Sequence, residues 1–212
     1  MSGLRERKKQ QTRAAIAETA RRLFSERGFE RVRVAEIAAA ADVSEKTVFN
    51  YFPTKEDLVF WRLEAFEEEI LGAVRDRGPG ESALAAFRRF VLVPRGLIGE
   101  DDPAALEALL AITRMITSSP ALLAREQQVF LRFTDSLAGL LASETGADAA
   151  AVEPWVAANA LMGVHRALVD FTRARILAGA AGPQLAREVR AQGEAAIEAL
   201  ETGLGDYALR SA

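Results

Sequence analysis

Residues 34–55 read VAEIAAAADVSEKTVFNYFPTK, and their apolar positions fit the inward faces of two successive short helices. Asp42 stands where the chain must leave the first helix, and Asp is one of the few non-glycine residues that tolerate a left-handed backbone. Ser44 then supplies a hydroxyl that can cap the second helix. The stretch therefore predicts two helices joined by a tight turn.

The second helix of this pair has a polar outer face. Its side chains mix hydrogen-bond donors and acceptors, as a helix requires when it meets phosphates and base edges in a major groove. They are Glu45, Lys46, Thr47, Asn50 and Tyr51. Because hydrophobic spacing by itself is common, the alternative is a helical hairpin with a solvated outer face. The flanking sequence favours the DNA-reading interpretation.

The segment before this stretch is basic at its start. Residues 5–28 predict a helix that ends at Gly28, with five cations near its beginning. These cations are Arg5, Arg7, Lys8, Lys9 and Arg13. Positive charge at a helix N-terminus opposes the macrodipole, so a helix selected only for stability would carry acids there. A polyanionic partner explains the basic residues better.

The segment after the stretch predicts a new helix start. Phe52-Pro53 interrupts the chain, and Thr54-x-x-Asp57 then resembles a capping box with Asp in place of Glu or Gln. Lys55, at this start, is again unfavourable for the helix dipole and well placed for a phosphate.

Residues 10–58 resemble the N-terminal domain of the TetR family of bacterial transcriptional regulators. The matching elements are the basic first helix, the segment ARRLFSERGFE, the turn EIAAAADVS and the run TVFNYFPTKEDL. The resemblance implies an all-α fold, with a three-helix DNA-binding head that contains a helix-turn-helix, followed by a helical ligand-binding and dimerisation bundle. It also implies a homodimer, formed through the last two helices, that binds double-stranded operator DNA.

The predicted DNA contacts combine the basic residues with the positions that the resemblance carries over. They are Lys9, Arg13, Arg33, Glu45, Lys46, Thr47, Asn50, Tyr51 and Lys55. A carboxylate at Glu45 could accept from cytosine N4. Three positions depart from the family pattern. Phe49 stands where Tyr is frequent and could simply pack, Arg33 replaces a capping Thr, and Asp42 replaces a turn Gly.

The charge distribution separates a basic head from an acidic body. Residues 1–55 hold 12 Lys and Arg against 7 Asp and Glu, whereas residues 56–212 hold 15 against 23. All four lysines lie in the first of these segments. An asymmetry of this kind is typical of a localised nucleic-acid footprint, even when the net charge of the chain is −3.

Length and composition limit the other classes of protein. With 212 residues, half of them apolar, the chain can form one large or two small packed domains. No apolar run reaches about 18 residues, and the start MSGLRERKKQQTR lacks the apolar stretch of a secretory signal. We therefore expect no membrane span and a cytoplasmic location. The absence of Cys excludes disulfides and thiolate metal sites, and nothing predicts a cofactor.

The predicted domains are residues 1–54, which bind DNA, and residues 55–212, which bind ligand and dimerise. Breaks at Gly, Pro and acidic residues divide the second domain into helices. The predicted helices span about 55–77, 82–98, 103–117, 120–144 and 148–178, and a last helix runs from Pro183 to between Gly203 and Gly205.

The last two helices carry the predicted dimer interface. The seam on the last helix has coiled-coil spacing, with Gly193 allowing close approach, and comprises Leu185, Val189, Ala196, Ile197, Leu200 and Leu204. The preceding helix contributes Val152, Val156, Asn159, Ala160, Gly163, Ala167 and Val169. Pairing of these helices across subunits is implied by the resemblance, and ordinary intrachain core is the alternative.

Large apolar side chains of the body are the candidate pocket residues. The predicted ligand-binding set is Trp61, Phe66, Phe87, Phe90, Met115, Phe130, Phe133, Trp155, Asn159, Met162 and His165. Aromatics at helical spacing are more often core, and the resemblance implies that some line a cavity for a small hydrophobic or amphipathic effector. Five arginines could anchor a carboxylate or phosphate, as in regulators that sense acyl-coenzyme A, or could be solvated: Arg88, Arg89, Arg95, Arg114 and Arg132.

Three functions remain open from the sequence. The first is a ligand-responsive repressor that binds a palindromic operator as a homodimer. The second is a DNA-binding activator, or a regulator without a physiological small-molecule ligand. The third, a helical lipid carrier or enzyme, leaves the basic head unexplained, and the sequence shows no pair of nucleophile and base and no Gly-rich phosphate loop.

Overall fold

The computed structural model describes residues 2–148 and 151–204, and within these ranges the fold is all-α. The side chains of Ser2, Leu4, Arg5, Glu64, Thr202, Gly203 and Leu204 are outside the description. The predicted basic side chain of Arg5, the seam side chain of Leu204 and the helix end at Gly205 therefore lie outside the described part of the chain. The helices are α1 (Ser2–Arg27), α2 (Val34–Ala40), α3 (Glu45–Tyr51), α4 (Leu63–Arg75), α5 (Ala83–Val91), α6 (Pro103–Ser118), α7 (Pro120–Thr145), α8 (Glu153–Leu177) and α9 (Gly182–Leu204).

The chain forms two compact units. The head comprises the residues up to Leu63 together with Arg114–Glu126, and the body comprises Glu64–Thr113 and the residues from Gln127 onward. The head thus contains α1, α2 and α3 as well as the end of α6 and the beginning of α7.

Buried apolar side chains from all three N-terminal helices form the core of the head. Ile16 on α1, Ile37 on α2 and Val48 on α3 are almost fully buried, as is Phe52 directly after α3. Helix α1 ends where Gly28 adopts a φ of 83°, a left-handed conformation that glycine reaches without strain. The first predicted helix and the predicted pair after it are confirmed.

The predicted helix over residues 55–77 is wrong in its first half. The Thr54 and Asp57 pair does form a reciprocal box, since Asp57 Oδ2 accepts from the Thr54 N–H at 2.9 Å and the Asp57 N–H donates to Thr54 Oγ1 at 3.3 Å. However, only a 3₁₀ turn follows, over Glu56–Leu58, and α4 begins at Leu63. Leu58 and Phe60 are both buried although they are two positions apart, which a single face of an α-helix does not allow.

The predicted helix over residues 82–98 is too long. Ser82 caps α5 as an N-cap should, with its hydroxyl accepting from the Ala85 N–H at 3.1 Å, but the helix ends at Val91. Pro94 follows closely and disfavours helical backbone in the residue before it. Gly96 then adopts a φ of 62°, so residues 92–98 form a loop.

The remaining predicted helices are present with small shifts. Helices α6 and α7 agree with prediction, and Gly146 follows α7 with a φ of 65°. Helix α8 begins at Glu153, about five residues later than predicted, with Pro154 in its first turn, where its missing N–H costs no intrahelical bond.

Part of the predicted α9 seam faces the same chain, in agreement with the intrachain-core alternative. Leu185 and Ile197 are fully buried within the single chain. A Cβ atom added at Gly193 would lie 2.6 Å from Cδ2 of Leu92 and 3.3 Å from Cδ1 of Leu168. The small residue at 193 therefore allows α9 to approach Leu92, directly after α5, and Leu168 on α8 of its own body. Coiled-coil spacing does not by itself distinguish an interchain seam from a core.

Within the described ranges, no single helix is long and apolar enough to cross a membrane. One bent pair of helices, Pro103–Ser118 with Pro120–Thr145, has the length and apolar composition of a span only when the two helices are taken together.

Candidate functional site

Local hydrogen bonds set the angle between α2 and α3. Asp42 adopts a φ of 54° after α2, and it is the only non-glycine residue with positive φ among those the structure describes. The Ser44 hydroxyl accepts from the Thr47 N–H at 3.1 Å, which caps α3. Both features were predicted from the sequence. They hold α3 at the surface of the head without help from a ligand.

The outer face of α3 is exposed as the helix-turn-helix prediction requires. Glu45, Lys46 and Asn50 are exposed, whereas Thr47 and Tyr51 are half-buried. The Thr47 hydroxyl lies 2.8 Å from the Ser44 hydroxyl, so it is partly engaged by the cap. The five predicted contact residues of α3 thus form one continuous surface with three fully available polar side chains.

Phe49 also lies on the outside of α3. This residue is 47% exposed, so the alternative that Phe49 simply packs is not what the structure shows. The inward positions of α3 and of the residue after it are filled by Val48 and Phe52 instead. In general, an aromatic ring exposed on a recognition helix can contact a thymine methyl group in the major groove.

Four of the predicted contacts come from outside α3, and three of them precede it. Lys9 is exposed on α1, and Arg33 is exposed just before α2. The Arg33 backbone N–H donates to the Glu36 carboxylate at 2.8 Å. One backbone donor at the start of α2 is thus satisfied although residue 33 lacks a capping hydroxyl. Arg13 is half-buried, with its guanidinium 5.4 Å from the centroid of the Phe52 ring. Arg13 therefore also packs against the head core.

Lys55 is more enclosed than the sequence indicates. Its Nζ lies 4.2 Å from the centroid of the Phe29 ring and 5.8 Å from that of Phe24. Burial lowers the pKa of the Lys55 ammonium, while the negative charges of Glu30 and Glu56 oppose this shift. The cation is thus positioned by two aromatic faces before any phosphate is present.

Charged side chains join the start of α7 to the rest of the head. Arg125 donates from Nε to Oδ1 of Asp57 at 2.8 Å, and the Ser119 hydroxyl donates to Glu30 at 2.7 Å. Asp57 is the same residue that accepts from Thr54 in the capping box. Arg125 therefore links α7 to the turn after α3, and Ser119 separately links the start of α7 to the segment between α1 and α2.

A cavity of about 240 Å³ lies within the body. Its walls come from α4, α5, the 92–98 loop, α6, α8 and α9, and they are largely aliphatic and aromatic. The polar residues among those that line it are Arg95, His165, Thr172, Arg173 and Arg190. No Asp or Glu is among the described lining residues. The cavity is apolar with a positive edge.

His165 is the central polar side chain of this cavity. Its ring stacks on Phe66 with centroids 4.9 Å apart, and the Phe130 ring lies 5.5 Å away. Burial, and secondarily the positive charge of Arg95, lower the pKa of His165 to about 4. The imidazole is therefore neutral at pH 7 and carries one donor and one acceptor nitrogen.

The comparisons with known proteins agree with this geometry. Residues 16–60 match the model of the bacterial regulatory proteins of the tetR family. The chain is 30% identical over 148 residues to the HTH-type transcriptional regulator TcmR of Streptomyces glaucescens, which is 69% of this chain and 66% of that protein. This chain belongs to the TetR family. The curated proteins that it resembles are HTH-type transcriptional regulators.

Two further matches cover very different shares of the chain. The HTH-type transcriptional regulator LuxR of Vibrio harveyi is 54% identical over 44 residues, 21% of this TetR-family chain and 22% of that protein. The alignments thus span about two thirds of TcmR and about a fifth of LuxR. GusR of Salmonella enterica has the same fold, with a TM-score of 0.52 at 20% identity, and the match covers 92% of this chain and 95% of that one.

The predicted pocket residues of this TetR-family chain fall into five groups. Phe66, Phe90 and His165 line the cavity. Phe130 contacts His165 from outside the lining, and Phe87, Phe133 and Met162 are buried core. Trp61 and Met115 belong to the head. Trp155 is 47% exposed and Asn159 donates to the Trp155 carbonyl at 2.8 Å, so both lie on the outer face of α8.

Among the arginines proposed as ligand anchors, only Arg95 lines the cavity. Arg88 pairs with Glu201, Arg89 with Glu81 and Arg132 with Glu67, and Arg114 belongs to the head. Sequence reasoning missed Arg173, Arg190 and the 92–98 loop. Pro94 and Gly96 were the signals that could have revealed the loop, since both interrupt the helix that was predicted there.

No group of three or more His, Cys, Asp or Glu side chains in the described part of the chain could hold a metal ion.

Proposed function

We propose that the protein is a ligand-responsive repressor that binds a palindromic operator as a homodimer and is released by a small, largely apolar effector. The observation that supports DNA binding most directly is the exposed polar face of α3, held by the Asp42 turn and the Ser44 cap. It lies on a segment of net positive charge. The protein would act in the bacterial cytoplasm, where the DNA is.

A dimer would place two copies of α3 in successive major grooves. Their centres would lie about 34–36 Å apart, one turn of B-DNA, and this spacing makes the operator a palindrome. Glu45, Lys46 and Asn50 are the exposed α3 side chains available for base edges, and Lys9, Arg33 and Lys55 supply cations for the backbone.

Replacing Lys46 with Ala should weaken DNA binding by about 1–3 kcal/mol while the dimer persists. The reason is the loss of an exposed cation from the groove-facing surface of α3. Fluorescence anisotropy with operator DNA at several salt concentrations measures the effect. If Lys46 contacts a phosphate, the salt slope should also fall by about one.

Arg22→Ala is the matched control, because it removes the same charge from α1 at an exposed position paired with Glu26. Equal losses for Lys46→Ala and Arg22→Ala would show that only net charge matters, and unchanged affinity in Lys46→Ala would remove that residue from the interface.

The outer face of α8 is the surface that we propose for dimerisation. Its exposed positions repeat every three or four residues and are apolar or small over most of the helix. They include Val152, Trp155, Val156, Asn159, Gly163, Ala167, Ala174 and Leu177. The outer face of α9 adds Ala191 and Ala195. Small residues let two helix pairs approach closely, so these faces suit a four-helix interface between subunits.

Gly163→Glu should separate the subunits without unfolding them. A Cβ atom at Gly163 meets nothing within 4 Å in its own chain, whereas two carboxylates would meet near the two-fold axis of the dimer. We expect the dimer dissociation constant to rise by about 100-fold or more in analytical ultracentrifugation.

Gly139→Glu is the control for that experiment, because Gly139 is an exposed glycine on α7 with equal space around its Cβ position. A Gly163→Glu protein that dimerises as Gly139→Glu does would place the interface elsewhere.

The effector is proposed to act through the body cavity. Helix α6 contributes Leu109 to the cavity wall, and its last residues, from Arg114, belong to the head. A ligand that shifts α6 could therefore change the geometry of the head, with a coupling typically of about 1–3 kcal/mol. The cavity volume is below the roughly 300–1,000 Å³ of pockets for drug-sized ligands, so it favours an effector smaller than a whole acyl-coenzyme A.

Operator binding measured with and without cavity ligands tests this proposal. Release of DNA by a ligand supports a repressor that is induced. Tighter binding, or no response to any ligand that enters the cavity, would instead support an activator or a regulator without a physiological small molecule.

A further inference from the structure

The charged side chains that line the body cavity are all cationic. Arg95, Arg173 and Arg190 line it, and none of its described lining residues is acidic. Two of these arginines have acidic partners outside the lining: Arg190 donates to Glu194 at 3.0 Å, and Nε of Arg95 is 3.7 Å from Glu69. The charged groups that a ligand in the cavity can contact directly are therefore cationic.

Arg95 is held in place before any ligand arrives. Its guanidinium carbon lies 3.7 Å from the centroid of the Phe90 ring, and Nη1 donates to the backbone carbonyls of Phe90 and Val93. These hydrogen bonds use the Nη1 donors of the guanidinium and fix the direction of its other N–H groups. Burial lowers the pKa of Arg95, with Glu69 opposing the shift. A partly buried cation of this kind gains from an anionic ligand.

His165 adds a polar group whose nitrogens have no hydrogen-bond partner among the described residues. The described residues form ring contacts with it but no hydrogen bond to either nitrogen. One face of the imidazole is occupied by Phe66, and both residues contribute to the cavity wall. A neutral imidazole beside an aromatic ring can donate to a carboxylate oxygen while the surrounding rings pack against an apolar ligand.

The volume limits the size of the ligand. An apolar cavity of about 150 Å³ accepts benzene. At about 240 Å³, this one has room for one or two fused rings with a small polar substituent.

We propose that the body cavity binds a small aromatic acid of one or two rings, with its rings packed beside Phe66 and Phe90 and its anionic group facing His165 and Arg95. This inference rests on the proposed ligand response and names the chemistry of its effector. It distinguishes an aromatic anion from the aliphatic, neutral or cationic ligands that an apolar cavity could otherwise accept.

Four probes of matched size test the proposal by calorimetry on the full chain without DNA. They are 2-naphthoate, 2-naphthylmethanol, 2-naphthylmethylamine and decanoate. We expect 2-naphthoate to bind at least 10-fold more tightly than the alcohol and decanoate, and the amine to bind most weakly. Equal or tighter binding of any of the other three, or no binding of 2-naphthoate at millimolar concentration, would overturn the proposal.

Two variants locate the binding site. His165→Phe keeps an aromatic ring beside Phe66 and removes both nitrogens, so the preference for 2-naphthoate over the alcohol should fall about 10-fold. Arg88→Met is the control, because Arg88 pairs with Glu201 and does not line this cavity. A preference that survives in His165→Phe would overturn the assigned role of His165.

A separate measurement distinguishes this proposal from the ligand response itself. If 2-naphthoate binds as expected but leaves operator affinity unchanged, the ligand chemistry stands and the regulatory response fails. If another probe binds best and releases the DNA, the response stands and the ligand chemistry fails.

Discussion

Arg77→Ala should lower the free energy of unfolding of the body by about 3–5 kcal/mol. Arg77 is only 2% exposed. Its guanidinium donates to the backbone carbonyls of Val74 at 2.7 Å and Glu81 at 3.1 Å, and it lies 2.6 Å from the carboxylate of Glu144. It thus joins the end of α4, the turn before α5 and the end of α7. Truncation leaves these carbonyls and the carboxylate without this partner.

Urea denaturation followed by far-UV circular dichroism measures this loss. The matched control is Arg75→Ala, since Arg75 pairs with Glu68 at 3.1 Å on the surface, where an ion pair contributes about 0–1 kcal/mol. Arg77→Met separates charge from packing, because it keeps most of the side-chain volume. Equal stabilities for the Arg77→Ala and Arg75→Ala proteins would contradict the central position of Arg77.

Gly193→Glu should destabilise the body by about 4 kcal/mol or more, or prevent it from folding. The new side chain would meet Leu92 and Leu168 and would bury a carboxylate among apolar groups. Gly193→Ala should cost far less, because the terminal methyl of Leu92 can move and alanine favours the helix. Thermal unfolding measured by circular dichroism separates the two substitutions.

Gly193→Glu and Gly163→Glu place the same side chain at a buried and at an exposed glycine, so their effects on folding can be compared directly. Gly193 is buried inside the chain and Gly163 is exposed on α8, so one glutamate should unfold the body and the other should only separate the subunits. A well-folded monomeric Gly193→Glu protein would restore the α9 seam as an interface between subunits.

The features predicted correctly from the sequence are those determined by neighbouring residues. The left-handed turn at Asp42, the cap at Ser44, the box of Thr54 and Asp57 and the helix end at Gly28 each depend on a side chain or a glycine within a few positions. Such interactions can be recognised from spacing alone. The helix-turn-helix was predictable because it consists mainly of these local interactions.

The features predicted wrongly depend on tertiary contacts. Burial of both Leu58 and Phe60 breaks the helix that the capping box begins, and nothing in the local sequence requires both to face inward. The sequence of α9 has the same shortcoming. Its apolar spacing identified the seam, but the packing of Leu92 and Leu168 against Gly193 determines that this part of the seam faces its own chain. His165 was predicted as a pocket residue, whereas the cationic edge that surrounds it depends on how α8, α9 and the 92–98 loop pack.

The central claim, that α3 reads DNA sequence as part of a dimer, is tested most directly by selection of genomic DNA fragments. Purified wild-type protein and the Lys46→Ala variant would be compared at near-physiological salt, where nonspecific phosphate contacts are weakened. We expect the wild type to enrich fragments that share a palindrome with half-sites about one helical turn apart, and Lys46→Ala to enrich them weakly. Recovery of the same unrelated fragments by both proteins would contradict the account.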